Sequence, residues 1–321
     1  LIVSTTEGFV YCFGSPAEMP ATLASESPAE AVGDDAPGEV DYAAAAEEIL
    51  RKTGLTEGLC IDLGCGTGQL ALELSRRSKL RVVGIDSDPS AVDRARRMLR
   101  AAGVYGSRVA IHQGDPRKPP YPRHCANLVV SSRLLSSKGE GLDRAEIERL
   151  QRPYGGAVCL GAPGALSVER RGELEGAGQW THQNHSAANT ICSPDGIRGP
   201  LEVAWFRDGV IEIPDRHAQG PAPLFSRGVL VVAGVDGVCG VDGYNGRTLW
   251  TCPIPGLLAD WDGVHHDVGI GDTGSIFCLS DDAAFVRTDD RCLKIDLATG
   301  RRLAEFTTPV EAGAADRHWG Y

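Results

Sequence analysis

An apolar run, Leu59–Leu63, carries the chain straight into Gly64-Cys-Gly66-Thr-Gly68, and a helical pattern begins at Gln69. No other segment restricts the fold as tightly. A buried strand, a glycine elbow and a helix form one βα unit, and the glycines let backbone N–H groups approach a ligand closely at the elbow. The dinucleotide fingerprint needs a glycine at position 69, where Gln69 stands, so that pattern fails. Asp62 lies two residues ahead of the first glycine. A carboxylate there repels a pyrophosphate and suits an ammonium.

The surrounding sequence alternates helix and strand. Helical spacing covers Tyr42–Lys52, Gln69–Arg77, Pro89–Ala102 and Asp143–Gln151; strand character covers Arg81–Ile85, Val109–His112, Ala126–Ser131 and Ala157–Leu160. Such alternation predicts a parallel sheet covered on both faces. Two further acids stand at strand ends. Asp86 closes Val82-Val-Gly-Ile-Asp86, where a carboxylate can accept two ribose hydroxyls, and Asp88 precedes Pro89 as a helix N-cap. Asp115 follows Ile111-His-Gln-Gly114; taken alone, Gly114-Asp115 reads as an ordinary turn rather than a ligand contact.

In this order and spacing, Asp62-Leu-Gly64-Cys-Gly66-Thr-Gly68, Asp86 and Gly114-Asp115 resemble the Rossmann-like class I S-adenosylmethionine-dependent methyltransferases over about residues 40–161, with Arg152-Pro-Tyr-Gly155-Gly156 as the turn into the fifth strand. The resemblance implies S-adenosylmethionine as cofactor and methyl transfer as activity. It implies that Asp62, Gly64, Cys65, Gly66 and Gly68 line the methionine end, that Asp86 with Ser87 holds the ribose, and that Asp115 accepts from the adenine amine. Two departures stand out. Asn127-Leu-Val-Val-Ser131-Ser132-Arg133 lacks the Asn/Asp-Pro-Pro-aromatic motif common in amino-methyltransferases acting on nucleic acid. Leu166–Glu175 is short and charged, a poor source for the strand pair that usually closes the sheet. Ser131, Ser132, Arg133, His112 and His124 are acid–base candidates without an evident partner, so no catalytic residue is assigned; the methyl acceptor stays open.

From Trp180 onward the sequence reads as all-β. Asp236–Asp242 with Gly246-Arg-Thr-Leu-Trp250 aligns without a gap on Asp290–Asp296 with Gly300-Arg-Arg-Leu303, 54 residues later. Together with Trp180–Thr190 and Leu201–Trp205, these segments resemble blades of a PQQ-like (quinoprotein alcohol dehydrogenase-like) β-propeller. In that family the Asp–Gly turn and the following aromatic or Leu lock one blade to the next. The visible repeats are too few to close a ring. Leu1–Gly14 reads as a strand pair ending another blade, with a Thr6-Glu7-Gly8 turn, and residues 15–39 as an acidic flexible linker. The expected organisation is multidomain: 1–14 a blade end, 15–39 a linker, 40–165 the methyltransferase domain and 176–321 propeller blades.

Composition bounds the function classes. The net charge is −11, and Lys+Arg exceed Asp+Glu only over residues 40–165, by 19 to 14, mainly in Arg76–Arg81 and Arg94–Arg100, which read as solvated helix faces. An acidic chain argues against nucleic acid as partner. The partners expected instead are a small-molecule or protein substrate and a protein at the propeller. The ten cysteines include no CxxC or Cys-Cys pair, so buried reduced thiols are expected, along with a reducing, cytoplasmic compartment and no metal or quinone site. His265-His266-Asp267 reads as a solvated loop. No apolar run approaches the roughly 20 residues of a membrane span, and the missing initiator Met suggests a fragment. Two alternatives remain open: a propeller-based interaction protein whose insert binds the cofactor without turnover, and a quinoprotein oxidoreductase.

Overall fold

The computed structural model describes residues 2–4, 10–12, 40–136, 141–196, 203–213, 221–258, 276–288 and 291–307. The expected linker at 15–39 and His265-His266-Asp267 lie outside the described residues. Strands β1 (Ile2–Ser4) and β2 (Val10–Cys12) pair antiparallel with Val3 opposite Tyr11, as the N-terminal strand pair requires.

The α/β unit opens with α1 (Tyr42–Thr53). Asp41 caps it by accepting from the Ala44 N–H at 3.0 Å, and Gly54 ends it at φ 63. There follow β3 (Glu57–Leu63), α2 (Gln69–Arg77), β4 (Lys79–Asp86), α3 (Pro89–Ala101), β5 (Val109–Gln113), β6 (Leu128–Val130), α4 (Ser132–Leu135), α5 (Arg144–Leu150), β7 (Ala157–Leu160) and β8 (Ser167–Arg170). Asp88 caps α3 with Pro89 in its first turn. The sheet order is β5-β4-β3-β6-β7-β8, with β3 to β7 parallel and β8 antiparallel to β7. Leu166–Glu175, read as a poor source for a closing strand pair, supplies one closing strand, Ser167–Arg170.

The sheet is buried on both sides. Alternate residues Cys60, Val82, Leu128 and Cys159 pack with Ile49, Leu70, Leu74, Val92 and Leu99 of α1, α2 and α3. Ile61, Leu63, Ile85, Val129 and Val158 pack with Ile147 and Leu150 of α5. Each Val, Leu or Ile among them contributes about 1.5–3 kcal/mol of burial. Six described cysteines are buried, Cys278 and Cys292 half-buried, and Cys192 exposed, against the expectation for that one thiol. Arg81 lies on β4 and is exposed there, so it is no part of a helix face.

The β unit holds two antiparallel four-stranded sheets: β9 (Leu224–Ser226), β10 (Val229–Gly234), β11 (Gly237–Asp242) and β12 (Thr248–Pro253); then β13 (Phe277–Leu279), β14 (Ala283–Arg287), β15 (Arg291–Asp296) and β16 (Arg302–Thr307). Their registers repeat at the 54-residue spacing. Val231 faces Gly240 as Phe285 faces Lys294, and the β11–β12 and β15–β16 pairs shift register just after Gly240 and Lys294. The turn glycines are tied alike, Gly246 to the Asp242 carbonyl and Gly300 to the Asp296 carbonyl, each at 2.9 Å. Trp250 Nε1 donates to the Leu297 carbonyl at 2.8 Å, and a Cβ on Gly300 would lie 2.6 Å from its ring. Trp205 repeats this lock one step earlier, donating to the Gly243 carbonyl at 3.0 Å and lying as close to Gly246. The described strands form two such sheets and no closed ring.

The two units meet at the amino ends of β3, β6 and β7. Asp242, fully buried, lies 2.7 Å from Arg152 Nε and accepts from Asn127 Nδ2 at 3.2 Å. Arg152 also donates to the Gly228 carbonyl, Asn245 donates to the Cys125 carbonyl and to Asn127 Oδ1, and Arg247 pairs with Glu57. None of this was legible in sequence, because each contact joins residues far apart in the chain.

Candidate cofactor site

The candidate site lies at the opposite, carboxyl ends of the strands. β3 and β4 are neighbours with Leu63 opposite Ile85, and Asp86 pairs with Gln113 of β5. One sheet edge therefore carries the glycine elbow, Asp86 with Ser87, and Asp115. Gly64 and Cys65 both donate to the Ile85 carbonyl, at 2.9 and 3.1 Å, which folds the elbow over the end of β4. Gly84 makes room for that turn, since a Cβ there would lie 2.8 Å from the Cys65 side chain. Its role was missed in the sequence, where Gly84 reads as one more residue of a β-branched strand.

The three elbow glycines do different things. Gly66, at φ 53, opens on free space, with nothing within 4 Å of a Cβ position. Gly64, at φ 77, faces Arg133, whose Nε lies 3.0 Å from such a Cβ. Gly68 faces Ala95 and Leu99 of α3 and serves helix packing.

Asp86 is 5% exposed; its oxygens accept from Gly66 N–H at 2.9 Å and Asp88 N–H at 3.0 Å. Each oxygen keeps a further lone pair. Arg133 Nη2 stands 3.7 Å from Asp86 Oδ1 and is one-third exposed. Asp62 is wholly buried and accepts from Ser132 N–H at 2.8 Å and Ser132 Oγ–H at 2.6 Å. Burial pushes its carboxyl up to about 6, against those two hydrogen bonds, and the nearby Asp86 charge pushes the same way. Its carboxylate is thus committed to the start of α4, beneath the crevice. Burial also raises the Cys65 thiol, with Asp62 and Asp86 adding to it, so Cys65 is no nucleophile. Asp115 is half-exposed and held by Arg117 through a bidentate pair at 3.0 Å and by the Arg117 N–H, the ordinary-turn geometry.

The acid–base candidates separate. Ser131 donates to the Leu63 carbonyl and caps α4; Ser132 is bound to Asp62; both are buried. His124 lies at the far end of the sheet, its Nδ1 3.2 Å from Arg171, and burial pushes it down to about 4, with the Arg171 charge adding to that. His112 is exposed and bonded to Tyr121 Oη at 3.1 Å. Arg133 is the one candidate leaning over the elbow.

A nucleoside with a cationic tail suits these residues. Gly66 offers an open cradle, Asp86 offers spare acceptors beside it, and two carboxylates lie under the elbow. The Arg133 guanidinium, 3.7 Å from Asp86 Oδ1, already places a positive charge beside that carboxylate.

Residues 60–155 match a family model described as a methyltransferase domain. Carboxy-S-adenosyl-L-methionine synthase of Wolinella succinogenes is 48% identical over 61 residues, which is 18% of this chain and 24% of that protein. Ribosomal protein L11 methyltransferase of Tolumonas auensis is 28% identical over 141 residues, 43% of this chain and 44% of that protein. A solved SAM-dependent methyltransferase from Aquifex aeolicus is 23% identical, the match covering 36% of this chain and 61% of that one with a TM-score of 0.31. The chain thus spans less than half the length of either curated relative.

Proposed function

We propose that this chain is a methyltransferase that binds S-adenosylmethionine across the carboxyl ends of β3, β4 and β5 and passes its methyl group to an acceptor still to be identified. The observation that carries the reading is Asp86 beside Gly66: a nearly buried carboxylate with spare lone pairs, next to a glycine that opens on free space. The methyltransferase-domain match over residues 60–155 supports it.

When bound, the cofactor supplies an activated methyl on a sulfonium, so the protein mainly positions the acceptor and, for some acceptors, removes a proton. Asp86, with Ser87 beside it, would hold the ribose hydroxyls. The backbone of Gly64, Cys65, Gly66 and Gly68 would lie along the methionine end, and Asp62 would add negative potential from below. Asp115 would accept from the adenine amine once Arg117 releases one of its oxygens.

For the β unit we propose two consecutive blades of a β-propeller, residues 176–321, with residues 1–14 ending another. The repeated Trp–Gly lock at Gly246 and Gly300 supports this. The unit contacts the amino ends of the strands, away from the cofactor edge, which favours a scaffold or protein-docking role over a share in the reacting pocket. A second reading, cofactor binding without turnover, is favoured by Arg133 leaning over Gly64 and by the lack of a placed acid–base pair among the described residues.

The test is incubation with methyl-labelled S-adenosylmethionine and fractionated lysate, with calorimetry of S-adenosylhomocysteine alongside. Label transferred by the wild type and lost in Asp86→Ala supports the enzyme. Saturable binding with no transfer supports the second reading, and no binding sinks both.

A further inference from the structure

A cleft of about 610 Å³ opens where the amino ends of β3 and β4 meet the β11–β12 turn, on the side of the sheet away from the cofactor edge. Three of its lining side chains are arginines, one from each of three separate segments: Arg81 on β4, Arg207 in the stretch before β9, and Arg247 in the turn just before β12. Thr248, the backbone of Gly58 and Gly246, and Phe206 also line it, and Phe206 is 92% exposed.

The charges are poorly neutralised. Arg247 is paired with Glu57 at 3.3 Å, a carboxylate half in solvent. Arg207 spends one nitrogen on the Gly246 carbonyl and Thr248 Oγ1, both at 2.7 Å, and its Nε on the Asp208 carbonyl, all uncharged acceptors. The Arg81 side chain has no hydrogen-bond or ion-pair partner among the described residues. Arg247 Nε is buried and makes no hydrogen bond among them. Three guanidinium groups against one carboxylate leave a concave, cationic surface in a chain that is acidic overall. Guanidinium forks match phosphate oxygens, and a buried unpaired N–H favours a ligand that supplies an acceptor. The volume suits a ligand larger than a bare phosphate, and an exposed aromatic ring beside the cations suits a planar base.

We propose that this cleft binds a phosphate-bearing ligand of nucleotide size, with its phosphates on Arg81, Arg207 and Arg247 and its base against Phe206. The site draws Arg81 from the α/β unit and Arg207 and Arg247 from the β unit, so its ligand would bridge the two.

Calorimetric titration of the full chain with ATP, with inorganic pyrophosphate and with adenosine tests the site, with a parallel titration by S-adenosylhomocysteine. ATP should bind at least about tenfold more tightly than adenosine, and Arg81→Glu should weaken ATP and pyrophosphate by at least about tenfold, the size of one charge-assisted hydrogen bond. Arg81 is exposed and remote from the cofactor edge, so S-adenosylhomocysteine affinity should be the same in Arg81→Glu, and pyrophosphate should not compete with it. Three results overturn the proposal: no binding of ATP or pyrophosphate, equal affinity in Arg81→Glu, or competition of pyrophosphate with S-adenosylhomocysteine. None of them bears on the methyltransferase reading.

Discussion

Asp62→Asn isolates the cost of a buried charge. Asp62 is fully buried, and its two oxygens accept from the N–H and hydroxyl of Ser132. Asparagine keeps both contacts, since its carbonyl accepts from the N–H and its amide donates to Oγ. What it removes is the ionisation, which burial holds at about 6. An unfolded aspartate titrates near 3.9, so between about pH 4 and pH 6 the native state binds the extra proton and stability falls as pH rises through that window. Two pKa units at about 1.4 kcal/mol each amount to about 3 kcal/mol. The stability of Asp62→Asn relative to wild type should therefore shift in favour of the variant by about 3 kcal/mol between about pH 4 and pH 7.5. Urea unfolding followed by far-UV helical ellipticity reads it, because all five described helices lie within residues 42–150. A difference that stays constant with pH would refute the buried-charge argument.

Other predictions follow from the packing. Arg152→Ala strands the buried Asp242 carboxylate and should cost about 3–5 kcal/mol in chemical denaturation, whereas Arg152→Ala combined with Asp242→Asn should recover part of that loss. Gly84→Ala drives a methyl into Cys65 and should cost about 1–3 kcal/mol and weaken S-adenosylhomocysteine binding; an unchanged calorimetric affinity would mean that the elbow does not depend on that contact. Arg133→Ala should bind S-adenosylhomocysteine about two- to fivefold more tightly, because a partly exposed ion pair worth up to about 1 kcal/mol no longer has to be broken. Weaker binding in that variant would make Arg133 a holder of the cofactor instead.

The sequence made the sheet legible because its signals are local. Glycine spacing, apolar alternation and the Asp88-Pro89 cap each act within a few residues, and α2 runs over Gln69–Arg77 as read. Asp86 was legible as the end of β4, because it closes an apolar run. Asp62 was legible as a carboxylate just ahead of the elbow but not as the partner of Ser132, since that contact depends on β6 lying beside β3. β8 was hidden by its charges: as an edge strand it exposes Ser167, Glu169 and Arg170, and only Val168 packs on the core. The 54-residue repeat was visible from its turns, while the Trp205 lock needed the fold to bring Gly246 beneath the indole. The Arg152–Asp242 pair and the arginine cleft arise only from the docking of the two units.

In the proposed function a sulfonium nucleoside sits on the carboxyl edge of the sheet, gripped at the sugar by Asp86. A crystal structure of the chain grown with saturating S-adenosylhomocysteine tests it most directly. The expected density runs from Gly66 to the end of β5, with ribose hydroxyls within hydrogen-bond distance of Asp86 and Arg133 moved off Gly64. Nucleoside density anywhere else, or an empty crevice with Arg133 still against Gly64, would contradict it.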